Sequence, residues 1–299
     1  MENKVAAEPK KTGKKKHRIL LRVLAVLLVL AVIVCAAGFL SALYSKTHYK
    51  ITFYQETSKK VSDNVRIAVI SDIHIREYGA NNEKLISDIR SLKPDLILFA
   101  GDYVTRDVDN YQPMLNLVSA LTEIAPCYGV LGNHESERIY YGNDKGLPDA
   151  FRNAGLHLLR NAKEDIRIGK DTVQLIGIEG TSYGFEEYGG REFMEKTEID
   201  PSALCVVMTH IPILFDKQLS AYDFDIGIAG HVHGGTVVLP FAGGLYSAEE
   251  GFFPKYTSGE YTLDKQQTLI ISAGLGDSKI FPPRINNVPE LVVIDINQY

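Results

Sequence analysis

Five short polar clusters interrupt the apolar runs of this 299-residue chain, each where a run ends: Ser71-Asp72-Ile73-His74, Gly101-Asp102, Gly132-Asn133-His134-Glu135, Thr209-His210 and Gly230-His231-Val232-His233-Gly234-Gly235. Carboxylates, imidazoles and a carboxamide, with no cysteine among them, suit Mn²⁺, Fe or Zn²⁺ better than a metal that prefers soft thiolates. Asp72/His74 and His231/His233 are i, i+2 pairs, which in extended chain project to one side about 6 to 7 Å apart. Asp72, His74, Asp102, Asn133, His210, His231 and His233 are too many donors for one tetrahedral ion. They match two divalent ions sharing a carboxylate. One histidine at a strand end is an ordinary hydrogen-bonded residue; five polar clusters at five run ends are not.

The elements that must carry these clusters recur with a rhythm. RIAVISD is a short β-branched run ending at Asp72, DLILFAGD ends at Asp102, and APCYGVLGNHE reads as a strand ending at Asn133 and His134. NNEKLISDIRSLKP and YQPMLNLVSALTEI, between them, have helical spacing. Intervals of 30 and 31 residues separate Asp72, Asp102 and Asn133, one strand–helix unit each. Continuous apolar strands of this kind are buried on both faces. IRIG, TVQLIGIEG, ALCVVMTH, DIGIAGHVH, TLIISAG and LVVIDI are the later strands. Helical patterns thin out there, which predicts a more mixed or antiparallel sheet. Strand ends along one rim would gather all five clusters in a crevice.

Charge divides the chain. Residues 1 to 45 hold eight Lys+Arg against two Asp+Glu, a net +6, and the remainder holds 24 against 35, a net −11. So acidic a body excludes a non-specific nucleic-acid binder. From Val23 to Tyr44 no charged residue occurs for 22 positions, about 33 Å of helix and enough for the roughly 30 Å hydrocarbon layer. Basic residues from Lys10 to Arg18 precede the run, so the positive-inside rule keeps the N-terminus cytoplasmic and exports the body. The expected organisation is a basic tail (1–18), a transmembrane signal anchor (19–44), a polar linker (45–64) and one domain (65–299). A cleaved signal peptide is the rival, with small-residue sites at Val34-Cys35-Ala36 and Ala36-Ala37-Gly38; the unbroken run through Leu43 favours the uncleaved anchor. Cys35, Cys127 and Cys205 show no CxxC spacing and read as small hydrophobes.

The ordered set D-x-H (Asp72, His74), GD (Asp102), GNHE (Asn133, His134), His210 and GHVH (His231, His233) resembles the calcineurin-like metallophosphoesterases. That resemblance implies an α/β fold, a four-layer αββα sandwich with a dinuclear metal centre at one edge. It assigns Asp72, His74 and His233 to the first ion, and Asn133, His210 and His231 to the second. Asp102 bridges the two, and His134 acts on the leaving group. GHVHGGTVVLP and SAGLGDSKIFPPRINNVPEL are similar to the bacterial membrane-anchored branch that contains UDP-diacylglucosamine pyrophosphatase-related phosphodiesterases. Thr105 departs from the protein serine/threonine phosphatases, which carry there an Asp supporting the catalytic His, so His134 must be oriented by another group.

The expectation is therefore a single-pass cell-membrane enzyme with an extracellular catalytic domain and two divalent ions, Mn²⁺ first and Fe or Zn²⁺ as alternatives. It would hydrolyse phosphodiester or pyrophosphate bonds with a metal-activated hydroxide, on lipid-linked or other cell-envelope substrates. The alternative is a non-catalytic membrane-tethered binding protein that keeps the fold. Arg76 and Arg284 are candidates to contact a substrate phosphate, against the reading that each is a solvated arginine. Phe241, Tyr246, Phe252, Phe253 and Tyr256 fit lipid contact and plain hairpin packing equally well. Oligomeric state is not legible.

Overall fold

Alternation along the strands sorts the apolar side chains into layers. The computed structural model describes residues 12–142, 144–179, 185–247, 250–277 and 283–299, with the side chains of 12–15 and 217 left aside. Lys10, Lys11 and Pro282, which the sequence reading uses, lie outside the described residues. The first sheet has the order β1-β16-β2-β3-β4-β5, built from β1 (Lys50–Ser58), β2 (Val65–Ile70), β3 (Leu96–Phe99), β4 (Cys127–Gly129), β5 (His157–Leu158) and β16 (Glu290–Gln298). Strands β2 to β5 run parallel, and β16 lies antiparallel to β2. The second sheet has the order β14-β15-β9-β8-β7-β6, from β6 (Ala162–Ile168), β7 (Asp171–Gly177), β8 (Leu204–Met208), β9 (Ile226–Ala229), β14 (Gly259–Thr262) and β15 (Thr268–Ile271).

Ile67, Val69, Leu96 and Leu98 of the first sheet pack against Val173, Leu175, Val206 and Ile228 of the second. Their neighbours Ala68, Ile70, Ile97 and Phe99 point the other way, onto α2 (Glu83–Leu92), α3 (Gln112–Thr122) and α5 (Leu147–Asn153). Cys205, Val207 and Ile271 turn outward from the second sheet onto Met194 of α6 (Gly190–Lys196) and Phe215 of α7 (Ile213–Lys217). Both faces of each sheet are thus covered, giving four layers in the order helix, sheet, sheet, helix. This is the expected sandwich.

Two expectations about elements change, and one holds. The segment read as a linker, 45–64, contains β1, which pairs in parallel with β16 from Lys50↔Glu290 to Ser58↔Gln298. Its sequence KITFYQETS is too polar to read as buried because it is an edge strand, whose charged residues discourage further pairing. The second sheet is mixed, as expected: parallel through β15, β9, β8 and β7, and antiparallel at its edges β14 and β6. The crossover helices α6 and α7 are five to seven residues long, too short for a helical period to show. The third run stops as a strand at Gly129, and α4 (Asn133–Tyr140) begins at Asn133.

Helix α1 (Thr12–Ser45) precedes β1, and its Lys16–Ser45 portion is long and apolar enough to cross a membrane. Two short hairpins, β10–β11 (Val238–Leu239 with Gly243–Gly244) and β12–β13 (Tyr246–Ser247 with Gly251–Phe252), lie between β9 and β14. Cys127 and Cys205 are buried free thiols, and Cys35 is exposed on α1.

Candidate metal centre

Every cluster sits just past the C-terminal end of a parallel strand. Asp72 and His74 follow β2, Asp102 follows β3, Asn133 and His134 open α4 after β4, His210 follows β8, and His231 and His233 follow β9. The two sheets meet here. His231 donates its backbone N–H to both carboxylate oxygens of Asp72 at 3.0 Å, and the His210 ring lies 2.7 Å through Nδ1 from the Ala100 carbonyl.

The i, i+2 pairs do not lie in extended chain. Asp72 (φ 49°), His74 (48°), Asp102 (53°), His231 (73°) and His233 (46°) are all left-handed. For a non-glycine residue that conformation costs on the order of 1–3 kcal/mol and persists only where surrounding contacts impose it. Tight turns thereby replace the expected same-side projection and fold the donors inward over the strand ends. Gly132 and Gly230 allow the close approach. A Cβ at Gly132 would run into Asp102, and one at Gly230 into Ser71 Oγ and Asp72 Oδ2.

His210 Nε2 lies 3.1 Å from Asp102 Oδ2 and 3.8 Å from Asp72 Oδ1. His74 Nε2 lies 3.9 Å from Asp102 Oδ2 and 3.3 Å from His233 Nε2, which is 3.6 Å from Asp72 Oδ1. Three groups, Asp72/His74/His233, His74/Asp102/His134 and Asp102/His210/His231, each hold their ligand atoms within 4.8 Å of one another. Asn133 stands beside them at the start of α4, flanked by His134, whose N–H donates to Asp102 Oδ1 at 2.9 Å.

The donor set fits a divalent cation on its own terms. Asn133 Oδ1 and His210 Nε2 are buried with no hydrogen-bond partner, a costly state unless something else satisfies them. Donation from His210 Nδ1 to the Ala100 carbonyl frees Nε2 as a lone pair, the usual support for a metal-binding imidazole. Burial would raise the Asp72 carboxyl, but His233, His210 and His74 hold it below the usual range. Asp102 is held well below it, burial again being outweighed by His210, His74 and His134. Burial works to lower His210, yet Asp102 and Asp72 draw it up to about 10. Burial lowers His74 and His233 despite the same carboxylates. Two buried carboxylates with that pull on an imidazole are a site built for positive charge.

Glu135 carries a role that its cluster did not reveal. Its carboxylate is fully buried and accepts the backbone N–H groups of Asp102 (2.9 Å), Val104 (2.8 Å) and Gly132 (2.8 Å). Burial and the Asp102 charge push it up to about 8, against the pull of the Val104 and Gly132 N–H groups. One side chain thus pins the loop bearing Asp102 to the loop bearing Asn133 and His134. A Glu three residues after a glycine N-cap was the available signal. His134 is oriented by a neighbour of Thr105: its Nδ1 accepts the Arg106 N–H at 3.1 Å.

Arg284 departs from expectation. It is buried, donates through Nη2 to the carbonyls of Ala273 (2.5 Å) and Gly276 (2.8 Å), and stands 3.2 Å from His233 Nδ1. Its guanidinium is consumed by the loop behind His233, so it buttresses the site and is closed to a substrate phosphate. Arg284→Ala should therefore unfold more easily by about 3 kcal/mol, since buried carbonyls lose their donors. Thermal unfolding of the metal-loaded protein measures this. A variant that melted normally but lost substrate affinity would return Arg284 to the substrate. Arg76 is also engaged, with Nη2 donating to the Ser45 carbonyl at 2.9 Å and Nη1 3.2 Å from Asp277 Oδ1.

Comparison with known proteins follows the same outline. The profile of the calcineurin-like phosphoesterases matches residues 65–235. The metallophosphoesterase YkuE of Bacillus subtilis is 25% identical over 242 residues, covering 78% of this chain and 79% of its own length. The phosphodiesterase YaeI of Escherichia coli is 24% identical over 257 residues, 83% and 86% of the two chains. The UDP-2,3-diacylglucosamine pyrophosphatase LpxG of Chlamydia trachomatis is 24% identical over 270 residues, 72% and 79%. With more than half of its length matched by the profile, the chain belongs to the calcineurin-like phosphoesterase family, enzymes that hydrolyse phosphoric esters.

Proposed function

We propose that this enzyme is a membrane-anchored phosphodiesterase or pyrophosphatase working with two divalent ions, Mn²⁺ first among them, on lipid-linked or other cell-envelope phosphoesters. Asp72, His74 and His233 hold one ion, Asn133, His210 and His231 the other, and Asp102 serves both. The observation that carries this is the position of Asp102, whose Oδ2 lies within 4.0 Å of imidazole nitrogens from His210, His74 and His134 at once. Bound divalent cations supply an acidified water and charge compensation for the phosphoryl oxygens. The chain's own part is to keep two carboxylates ionised, offer imidazole nitrogens to the ions (His210 giving up its proton to an entering cation), and hold a proton on His134 beside the leaving oxygen. A phosphodiester or pyrophosphate substrate is supported by YaeI and LpxG, whose names state those activities. Helix α1, with basic residues ahead of it, supports a single-pass anchor with a cytoplasmic N-terminus and an exported domain from β1 onward.

The test uses the full chain in detergent or nanodiscs. Hydrolysis of bis-p-nitrophenyl phosphate should rise with Mn²⁺, vanish with chelator and return on adding the ion back, with elemental analysis giving two ions per chain. Full metal loading without hydrolysis of any phosphoester under any divalent ion would favour the non-catalytic binding protein.

A further inference from the structure

The last two turns of α1 are part of the domain surface. Ala42 and Ser45 are buried, while Phe39, Leu40, Leu43 and Tyr44 beside them stay exposed. Ser41 Oγ accepts the Asn286 N–H at 2.8 Å, Ser45 Oγ lies 3.4 Å from the Asn287 carbonyl, and Ile285 stands over Gly38 so closely that a Cβ there would meet it at 3.6 Å. Gly38 precedes Ser45 by seven residues, about 10 Å along the helix axis. The loop 285–287 therefore reaches down beside the apolar run rather than stopping above it.

That loop carries the hairpins. Val238 donates its N–H to the Ile285 carbonyl at 3.0 Å, and Asn286 Nδ2 donates to the Val238 carbonyl at 3.0 Å. Three residues further on, within about 11 Å of chain, Phe241 is exposed over its whole surface (110%). Phe252 and Phe253, in and beside β13, are 71% and 60% exposed. These rings take no part in the core, the first hairpin is bonded to the loop that packs on α1, and the rings follow His233 by eight to twenty residues. Large apolar rings grouped at such a place mark a contact surface, and aromatic rings are favoured at the membrane–water boundary.

We infer that the β10–β11 and β12–β13 hairpins form a lip that rests on the bilayer crossed by α1, with Phe241, Phe252 and Phe253 among the headgroups and upper acyl chains. The centre beside His233 then opens at the membrane surface, and its substrates are phosphoesters in the headgroups of membrane-borne amphiphiles. This rests on the reading of α1 as the anchor and deepens the proposed function by fixing where the substrate is met.

The chain contains no tryptophan, so single-tryptophan variants of the full protein in liposomes of anionic phospholipid report depth without background. Phe241→Trp and Phe252→Trp should each emit to the blue of an indole in water and lose intensity when the lipids are brominated on the upper acyl chain. Tyr299→Trp, after the far end of β16, should do neither. Leu28→Trp, in the middle of α1, should be quenched by lipids brominated deeper, and metal analysis should show each variant loaded. Quenching at 28 with water-like, unquenched emission at 241 and 252 would overturn the lip and leave the anchor standing. Blue-shifted but unquenched emission would place the rings against protein, a second copy of the chain, and would also overturn it. No quenching at 28 would overturn anchor and lip together.

Discussion

Asp102→Ala is expected to bind no divalent metal at stoichiometric level and to show no turnover above background. Its carboxylate faces the imidazoles of His210, His74 and His134 within 4.0 Å and accepts the His134 N–H through the other oxygen. Asp72 Oδ1 also reaches donors of both proposed ions, His233 at 3.6 Å and His210 at 3.8 Å, but Asp102 stands closer to His210, at 3.1 Å. Removing Asp102 leaves His210 Nε2 without its nearest charge and each ion one anionic ligand short. Two cations supply several kcal/mol of transition-state stabilisation, and about 1.4 kcal/mol is tenfold in rate, so the loss should be at least about 10³-fold. Elemental analysis and diester hydrolysis on the same preparation measure it. Asp102→Asn separates chemistry from folding, because its amide oxygen still accepts the His134 N–H while the negative charge is gone. It should melt like the parent without metal and remain empty of metal. If either variant retained two ions, the shared-carboxylate assignment would be wrong.

The chemistry was more legible than the geometry, for a physical reason. Asp72, Asp102, Asn133 and the histidines stand out because each polar donor ends a run that must be buried, and burial patterns are local along the chain. The parallel first sheet and its covering helices follow from the same local pattern, as α2 with its buried Leu85 and Ile89 illustrates. What stayed hidden depends on residues far apart in sequence. β1 is a strand only because β16, some 240 positions away, offers its edge. Arg284 looks like a surface arginine until the carbonyls of Ala273 and Gly276 fold around it. Glu135 looks like part of a motif until the Asp102 and Val104 N–H groups arrive from another loop. The left-handed backbone of Asp72, His74, Asp102, His231 and His233 carries only a weak sequence signal: Asp and His are enriched among the non-glycine residues that adopt it, but contacts from other loops decide which of them do. In each case the determining interaction is non-local.

His134→Ala is expected to keep both ions and lose turnover by roughly 10²- to 10⁴-fold, the scale of acid–base assistance. Its position in the fold explains the split. The Arg106 N–H donates to Nδ1, so that nitrogen is an acceptor and a neutral ring carries its proton on Nε2. Nε2 faces the centre, 4.0 Å from Asp102 Oδ2, and the side chain keeps about 20% of its surface open to solvent, unlike the fully buried His210. The Nε2–H held there can donate a hydrogen bond to the departing oxygen and stabilise its developing charge. The proton that finally neutralises that oxygen comes from water, since a neutral ring that gave up its one N–H would become an imidazolate. Thr105 leaves this orientation to the backbone, so Thr105→Ala should change the rate far less than His134→Ala. The leaving group supplies a sharper readout. A leaving group as acidic as p-nitrophenol needs little protonation, whereas an alkoxide needs much. The rate lost on His134→Ala should therefore grow as the leaving-group pKa rises across a series of diesters. An equal loss across the series would remove His134 from the leaving oxygen, and an absence of bound metal in the variant would move it among the ligands.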